Sequence, residues 1–212
     1  MRPPDSWARA RVTLVLTLLT GAVWILLSPD YLHDWSVGWG GFVPARVGDP
    51  PQLAAAPFWL APLTATLVHG HFFHLLFNLL ILVVCGRPTE AVIGPFGLAV
   101  LYVVGAYVAA AAHYLVDPAE TVPMIGASGA VSAVLGAYAI LFGRNKVRVA
   151  SPRLALWLNA LWLMAAWVGL QLIVGFTVSG LGIEVAIAAH IGGFLIGLAL
   201  ANPLLLFRYR KA

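Results

Sequence analysis

Four side chains in this sequence have the types and spacing needed for acyl-transfer chemistry: Ser128, His190, and the pair His74 and Asn78. A serine hydroxyl is a weak nucleophile until a base takes its proton, and a neutral histidine within hydrogen-bond reach is the usual base. A tetrahedral intermediate also needs donors aimed at its oxyanion. His74 and Asn78 are four residues apart, so a helix places them one turn apart on one face. Together with the backbone N–H of Ser128 at a helix start, they make three candidate donors. No acidic residue lies near this set within the apolar runs, so the residues offer a Ser-His dyad rather than an acid-oriented triad.

The elements that must position these groups are long and oily. The chain has 212 residues, 61% hydrophobic and 9% charged, with a mean hydropathy of +0.93. That balance indicates an integral membrane protein rather than a packed soluble core. The expected fold class is all-α, with six spans at about 10–28, 60–85, 91–115, 126–143, 154–177 and 183–207, because a crossing needs about 20 apolar residues. The first run follows Arg2, Arg9 and Arg11 but lacks a nearby small-residue cleavage site, so it reads as a retained helix. No linker, repeat or low-complexity tract marks a second domain, and residues 1–212 read as one membrane domain. Between the first two runs, residues 29–59 carry Trp35, Trp39, Phe42 and Trp59 among Gly and Pro, as expected of a loop that folds onto the protein or sits in the interface.

The formal net charge of +4 does not point to nucleic acid, because the basic residues cluster between apolar runs. With the N-terminus inside, 11 of the 12 Lys and Arg fall on the inner side, Arg46 being the exception. Both termini are therefore expected in the cytoplasm, with the protein in the plasma (inner) membrane. A single cysteine, Cys85, excludes an internal disulfide framework and a cysteine-based metal site.

Depth along the helices links the four groups. PAETVP at 118–123 cannot be helix interior, so the regular helix is expected to begin at about Ser128. From Ser128 to the basic end at Arg144 is 16 residues, about 24 Å, which makes a short, recessed fourth span against a ~30 Å hydrocarbon core. His190 lies 18 residues before Arg208 and His74 lies 13 before Arg87, about 27 and 20 Å. The groups thus share one layer towards the outer side. Ala189, Gly193, Gly197 and Ala201 form a small-residue face on the last span, matched by Gly129, Ser132 or Ala133, and Gly136 on the fourth. Such faces let helix backbones approach closely, which brings Ser128 towards His190.

Other readings of the polar residues are weaker. His69, His71 and His74 form H-x-H-x-x-H, and imidazole is a metal ligand. His69 and His71 point to different faces, however, and no carboxylate or thiolate lies near them in sequence. Nothing in the residues requires a metal, a cofactor or nucleic acid. His33 and His113 have no partner that sequence identifies and read as interfacial or hydrogen-bonded residues.

Three stretches carry a family resemblance. GASG at 126–129, AHIGGFLIG at 189–197 and HGHFFHLLFN at 69–78 resemble the motif regions of the rhomboid intramembrane serine proteases, in that family's order. The resemblance implies a six-helix bundle, Ser128 as nucleophile, His190 as general base, and His74 with Asn78 in the oxyanion hole. It also matches His69 to a recurrent histidine, and Gly86, Glu90 and Gly94 to G-x-x-x-E-x-x-x-G, with Glu90 structural. Gly126, Gly129, Gly193 and Gly197 support the site by leaving room for backbone. The implied activity is endopeptidase cleavage of transmembrane segments of other membrane proteins, near their outer ends and within the lipid bilayer. The alternatives are a weak or inactive relative that binds transmembrane helices, and a six-span transporter built on the histidine cluster. Two positions depart from the family pattern: Trp59, Leu60 and Ala61 stand where members often carry Trp-Arg, and Ser132 stands where many carry a tyrosine that packs on the base.

Overall fold

The computed structural model describes residues 10–143, 151–179 and 186–210. Of the basic residues used above for orientation, Arg2, Arg9, Arg144, Lys146, Arg148 and Lys211 lie outside the described residues, as does the side chain of Arg153. The described chain is all-helical apart from one antiparallel bridge between Phe42 and Met124. Its helices are α1 (Arg11–Leu26), α2 (Asp30–Gly40), the short α3 (Ala61–Thr64), α4 (Phe72–Ile81), α5 (Arg87–Val116), α6 (Ser128–Phe142), α7 (Pro152–Ser179) and α8 (Ile187–Arg208). A helix satisfies its backbone groups internally, which is what an apolar surrounding demands of a chain this oily.

The second apolar run starts near residue 60, but its long helix starts only at Phe72. Before it the chain makes only short turns at Ala61–Thr64, with Pro62 in the first turn, and Ala65–Leu67, which ends at the extended Val68. His71 then caps α4, its Nδ1 accepting the His74 N–H at 3.1 Å. As a result His69 and His71 precede the helix rather than lying on it.

α4 passes through a π-helical turn at Leu82–Gly86 into α5. The combined helix Phe72–Val116 is 45 residues long, about 68 Å of rise, more than twice a ~30 Å hydrocarbon core. It bends at Gly94, where φ is +83°. Pro95 follows and has no N–H for the Ala91 carbonyl. Arg208 supplies the missing donor from the end of α8: its Nη1 donates to Ala91 O at 2.6 Å and to Glu90 O at 3.3 Å. Glu90 in turn holds the start of α1, accepting the Val12 N–H at 2.9 Å and both the N–H and the hydroxyl of Thr13 at 2.8 Å. A carboxylate on the unpaired amides of a helix N-terminus is favoured by those donors and by the helix dipole.

α6 is the central element, with 12 of its 15 residues buried, so it is enclosed by other helices on nearly every side. Leu82, Leu98, Leu101 and Phe194 pack around it in a core with its own Val131 and Val134, all fully buried. The small-residue faces of α6 and α8 meet backbone to backbone. A Cβ on Gly193 would strike the Gly129 carbonyl, one on Gly197 the Ala133 carbonyl, and one on Gly136 the Phe194 carbonyl. Because the paired residue numbers rise together, α6 and α8 run parallel and their first turns lie at the same end.

Besides the combined Phe72–Val116, Ile187–Arg208 is long and apolar enough to cross a membrane. Arg11–Leu26, Ser128–Phe142 and Trp157–Leu170 are shorter apolar helices.

Candidate active site

The approach to α6 is built by the outer segment. That segment is not bare loop: it forms α2 and then pairs with the chain ahead of α6. Phe42 and Met124 exchange backbone bonds at 2.9 and 2.8 Å, and the Ala45 N–H donates to Glu120 O at 3.0 Å. Gly41 packs so closely that a Cβ there would lie 2.6 Å from Pro123. The Gly126 N–H donates to Ala65 O at 2.9 Å, tying the same stretch to the turns before α4.

Gly126 turns the chain into α6 with φ +103°, a conformation that L side chains rarely adopt. A Cβ there would also sit 2.5 Å from the His74 imidazole, so glycine is required both by backbone and by space. His69 fixes the next residue: its Nε2 accepts the Ala127 N–H at 3.3 Å, and its ring meets that of His74 edge-on with centroids 5.0 Å apart. His33 reaches the same corner, with Nε2 3.3 Å from His69 O.

Ser128 is the first residue of α6, and Ala127 is the cap residue with no side-chain cap bond. Ser128 is thus not the cap residue of α6. Its Oγ lies 2.7 Å from His190 Nε2, between residues 62 apart in sequence. Both side chains are buried, at 6% and 4% exposure. Among the described residues, His190 Nδ1 has no hydrogen-bond partner. The first intrahelical bond of α6 runs from the Val131 N–H to Ala127 O. The amides of Ser128, Gly129 and Ala130 precede that bond and point out of the helix start, beside the Ser128 hydroxyl. Because the first turn of α8 arrives at the same end, two positive helix ends meet there, which favours negative charge.

His74 is half-buried against Gly126 and within electrostatic reach of His190. Asn78 is fully buried, but its Nδ2 donates to the His74 carbonyl at 2.8 Å, within its own helix. The expected donor thus has one amide hydrogen already engaged. Gly129, Gly193 and Gly197 lie on the α6–α8 contact. Among the described residues no three His, Cys, Asp or Glu side chains are grouped to hold a metal ion. In the histidine cluster, His71 Nδ1 is taken by the His74 N–H and His69 Nε2 by the Ala127 N–H.

Trp167 is a neighbour that sequence reasoning passed over. It reaches in from α7, its Nε1–H donating to Ser132 Oγ at 2.8 Å, while its ring faces His190 with centroids 6.3 Å apart. The only signal in the sequence is a tryptophan in the middle of an apolar run, and α7 carries three of them. Trp157 and Trp162 face outward and Trp167 is buried.

Comparison with known proteins agrees with this architecture. The family model described as the Rhomboid domain matches residues 58–207. Rhomboid-related protein 2 of Mus musculus is 30% identical over 135 residues, which is 63% of this chain and 44% of that protein. The chain therefore spans less than half the length of this curated relative. The match covers the bend at Gly94, the turn at Gly126 and the helices bearing Ser128 and His190, and the chain belongs to the rhomboid family, whose members are integral to membranes.

Proposed function

We propose that this protein is an intramembrane serine endopeptidase that uses Ser128 and His190 as a dyad on peptide bonds in or near transmembrane segments of other membrane proteins, towards the extracytoplasmic side. The observation that carries this reading is the 2.7 Å approach of His190 Nε2 to Ser128 Oγ at the meeting of two helix starts. With the imidazole proton on Nδ1, the Ser128 hydroxyl donates to Nε2. Attack of Oγ on the substrate carbonyl carbon moves the C=O π electrons onto oxygen, and the serine proton passes to Nε2. The C–N bond then breaks as Nε2 returns that proton to the leaving amine. Water repeats the sequence on the acyl-enzyme ester, releasing the carboxylate and restoring Ser128. The oxyanion is received by the amides at the start of α6, with His74 beside them and Asn78 using its second amide hydrogen.

The same reading assigns six crossings within one membrane domain: α1, α4 down to the bend at Gly94, α5 beyond it, α6, α7 and α8. The length of Phe72–Val116 and its bend support two crossings there. Both termini lie in the cytoplasm, and the site lies in the outer half of the plasma (inner) membrane. A substrate helix must unwind to present a peptide bond to a buried pair, so helix-breaking and small residues are expected near the cleavage point.

A fluorophosphonate probe tests the assignment, since it forms an Oγ–P bond with loss of fluoride only at an activated serine. Mass mapping is expected to locate the label on Ser128 in the wild type and to find none in Ser128→Ala. Label on another residue, or undiminished labelling of Ser128→Ala, would remove the nucleophile assignment. Binding without cleavage is the second reading, favoured by the Asn78 amide turned to its own helix. It predicts capture of transmembrane segments with no label at Ser128.

A further inference from the structure

The geometry points to Trp167 as the residue that positions the imidazole of His190, acting together with Ser132. The inference rests on the protease reading, and it names a group that neither the motifs nor the charge pattern indicates.

A general base must present one nitrogen to the hydroxyl and hold the other in a fixed tautomer, a task that a carboxylate performs in a triad. Here His190 Nδ1 has no hydrogen-bond partner among the described residues. The ring orientation then depends on its contact with Ser128 and on what packs against its faces. Trp167 is 3% exposed and its ring is inclined at 54° to the imidazole, at a centroid distance of 6.3 Å. That separation is within the range of favourable tilted aromatic pairs.

The indole is itself held. Its Nε1–H donates to Ser132 Oγ at 2.8 Å, and the Ser132 hydroxyl donates to Ser128 O at 2.7 Å. A buried indole N–H needs a partner, and Ser132, one turn beyond Ser128, meets that need. One chain of contacts therefore runs from the Ser128 carbonyl through Ser132 and Trp167 to the ring of His190. It fixes the nucleophile's backbone and the base's ring against the same indole. A bulkier residue at 132 would compete for space already taken by that indole.

The experiment compares wild type, Trp167→Phe, Trp167→Ala, Ser132→Ala and the double variant Ser132→Tyr with Trp167→Ala. The readouts are the rate of fluorophosphonate labelling at Ser128, kcat and KM on a reporter transmembrane segment, and the unfolding midpoint. Trp167→Ala is expected to lower kcat and the labelling rate by about ten- to a hundredfold while KM stays within about twofold, because a misplaced base affects the reacting geometry and not binding. Trp167→Phe keeps a ring but loses the N–H, and Ser132→Ala loses the acceptor; each is expected to lose about two- to fivefold. In the double variant an aromatic ring enters from position 132 into the space the indole vacates, and recovery of at least about fivefold over Trp167→Ala is expected.

Wild-type kcat and labelling in Trp167→Ala would overturn the proposal. So would a loss that follows the unfolding midpoint alone across the series, with no recovery in the double variant. A wild type that the probe leaves unlabelled at Ser128 removes the protease reading and this role with it. A labelled wild type matched by Trp167→Ala removes only the role of Trp167.

Discussion

Gly126 is the residue at which local backbone and candidate chemistry meet most tightly. Its φ of +103° and the 2.5 Å approach of any added Cβ to the His74 ring both exclude a side chain. Gly126→Ala is expected to cost about 1–3 kcal/mol in stability and, by displacing His74, to lower fluorophosphonate labelling at least about tenfold. Gly38 provides the contrast, since it is helical and nothing lies within 4 Å of an added Cβ. Gly38→Ala is expected to raise stability by about 0.5–1 kcal/mol with labelling unchanged. Denaturant unfolding in detergent measures both. At this scale the sequence was informative where spacing decides and silent where rotamers decide. Counting residues from basic helix ends put Ser128 and His190 at one depth, and they do touch. Spacing alone could not reveal that the Asn78 amide turns to the His74 carbonyl, or which of three tryptophans on α7 faces inward.

Among the elements, the α6–α8 contact governs whether Ser128 and His190 meet. Carbonyls of Gly129 and Ala133 occupy the space where Gly193 and Gly197 would carry a Cβ. Gly197→Val is therefore expected to separate the two helices, costing about 3 kcal/mol or more and abolishing labelling. Gly169→Val on α7, where an added Cβ would meet nothing, is expected to change stability by less than about 1 kcal/mol. Glu90 acts elsewhere, clamping the start of α1 through Val12 and Thr13. Glu90→Ala leaves those groups unpaired, so a loss of about 1–3 kcal/mol is expected, while labelling per folded molecule remains near wild type. The G-x-x-x-G spacing made the helix contact legible beforehand. A break between the second and third spans was expected at 86–90; that the helix runs on through Arg87 and Glu90 to bend at Gly94, with Arg208 clamping it, was not, because Glu90 and Arg208 find their partners only in the folded chain. Nor was α2, whose aromatic residues stand among Asp, Ser and Gly in a stretch that reads as loop.

At the scale of the whole molecule, two separate parts of the chain are arranged around one helix start. The outer segment and the turns before α4 hold Gly126 and Ala127 through Phe42, Ala65 and His69. From the other side, α8 delivers His190 and α7 delivers Trp167. Composition was enough to identify a membrane-embedded helical chain, and three motif regions were enough to indicate the rhomboid family. The outer segment's scaffolding role was not legible, because it depends on a two-residue bridge between Phe42 and Met124, far apart in sequence. The central claim is that this assembly cuts transmembrane segments with Ser128 and His190. Its most direct test incubates the purified protein with a reporter transmembrane segment in lipid and follows product formation and the position of the cut. Wild type is expected to cleave near the segment's outer end, and Ser128→Ala and His190→Ala, each folded and inserted, are expected to yield no product. Cleavage by Ser128→Ala at the wild-type rate, or a reporter left intact after prolonged incubation with unlabelled wild type whose Ser128 a parallel sample shows to react with the probe, would contradict the account.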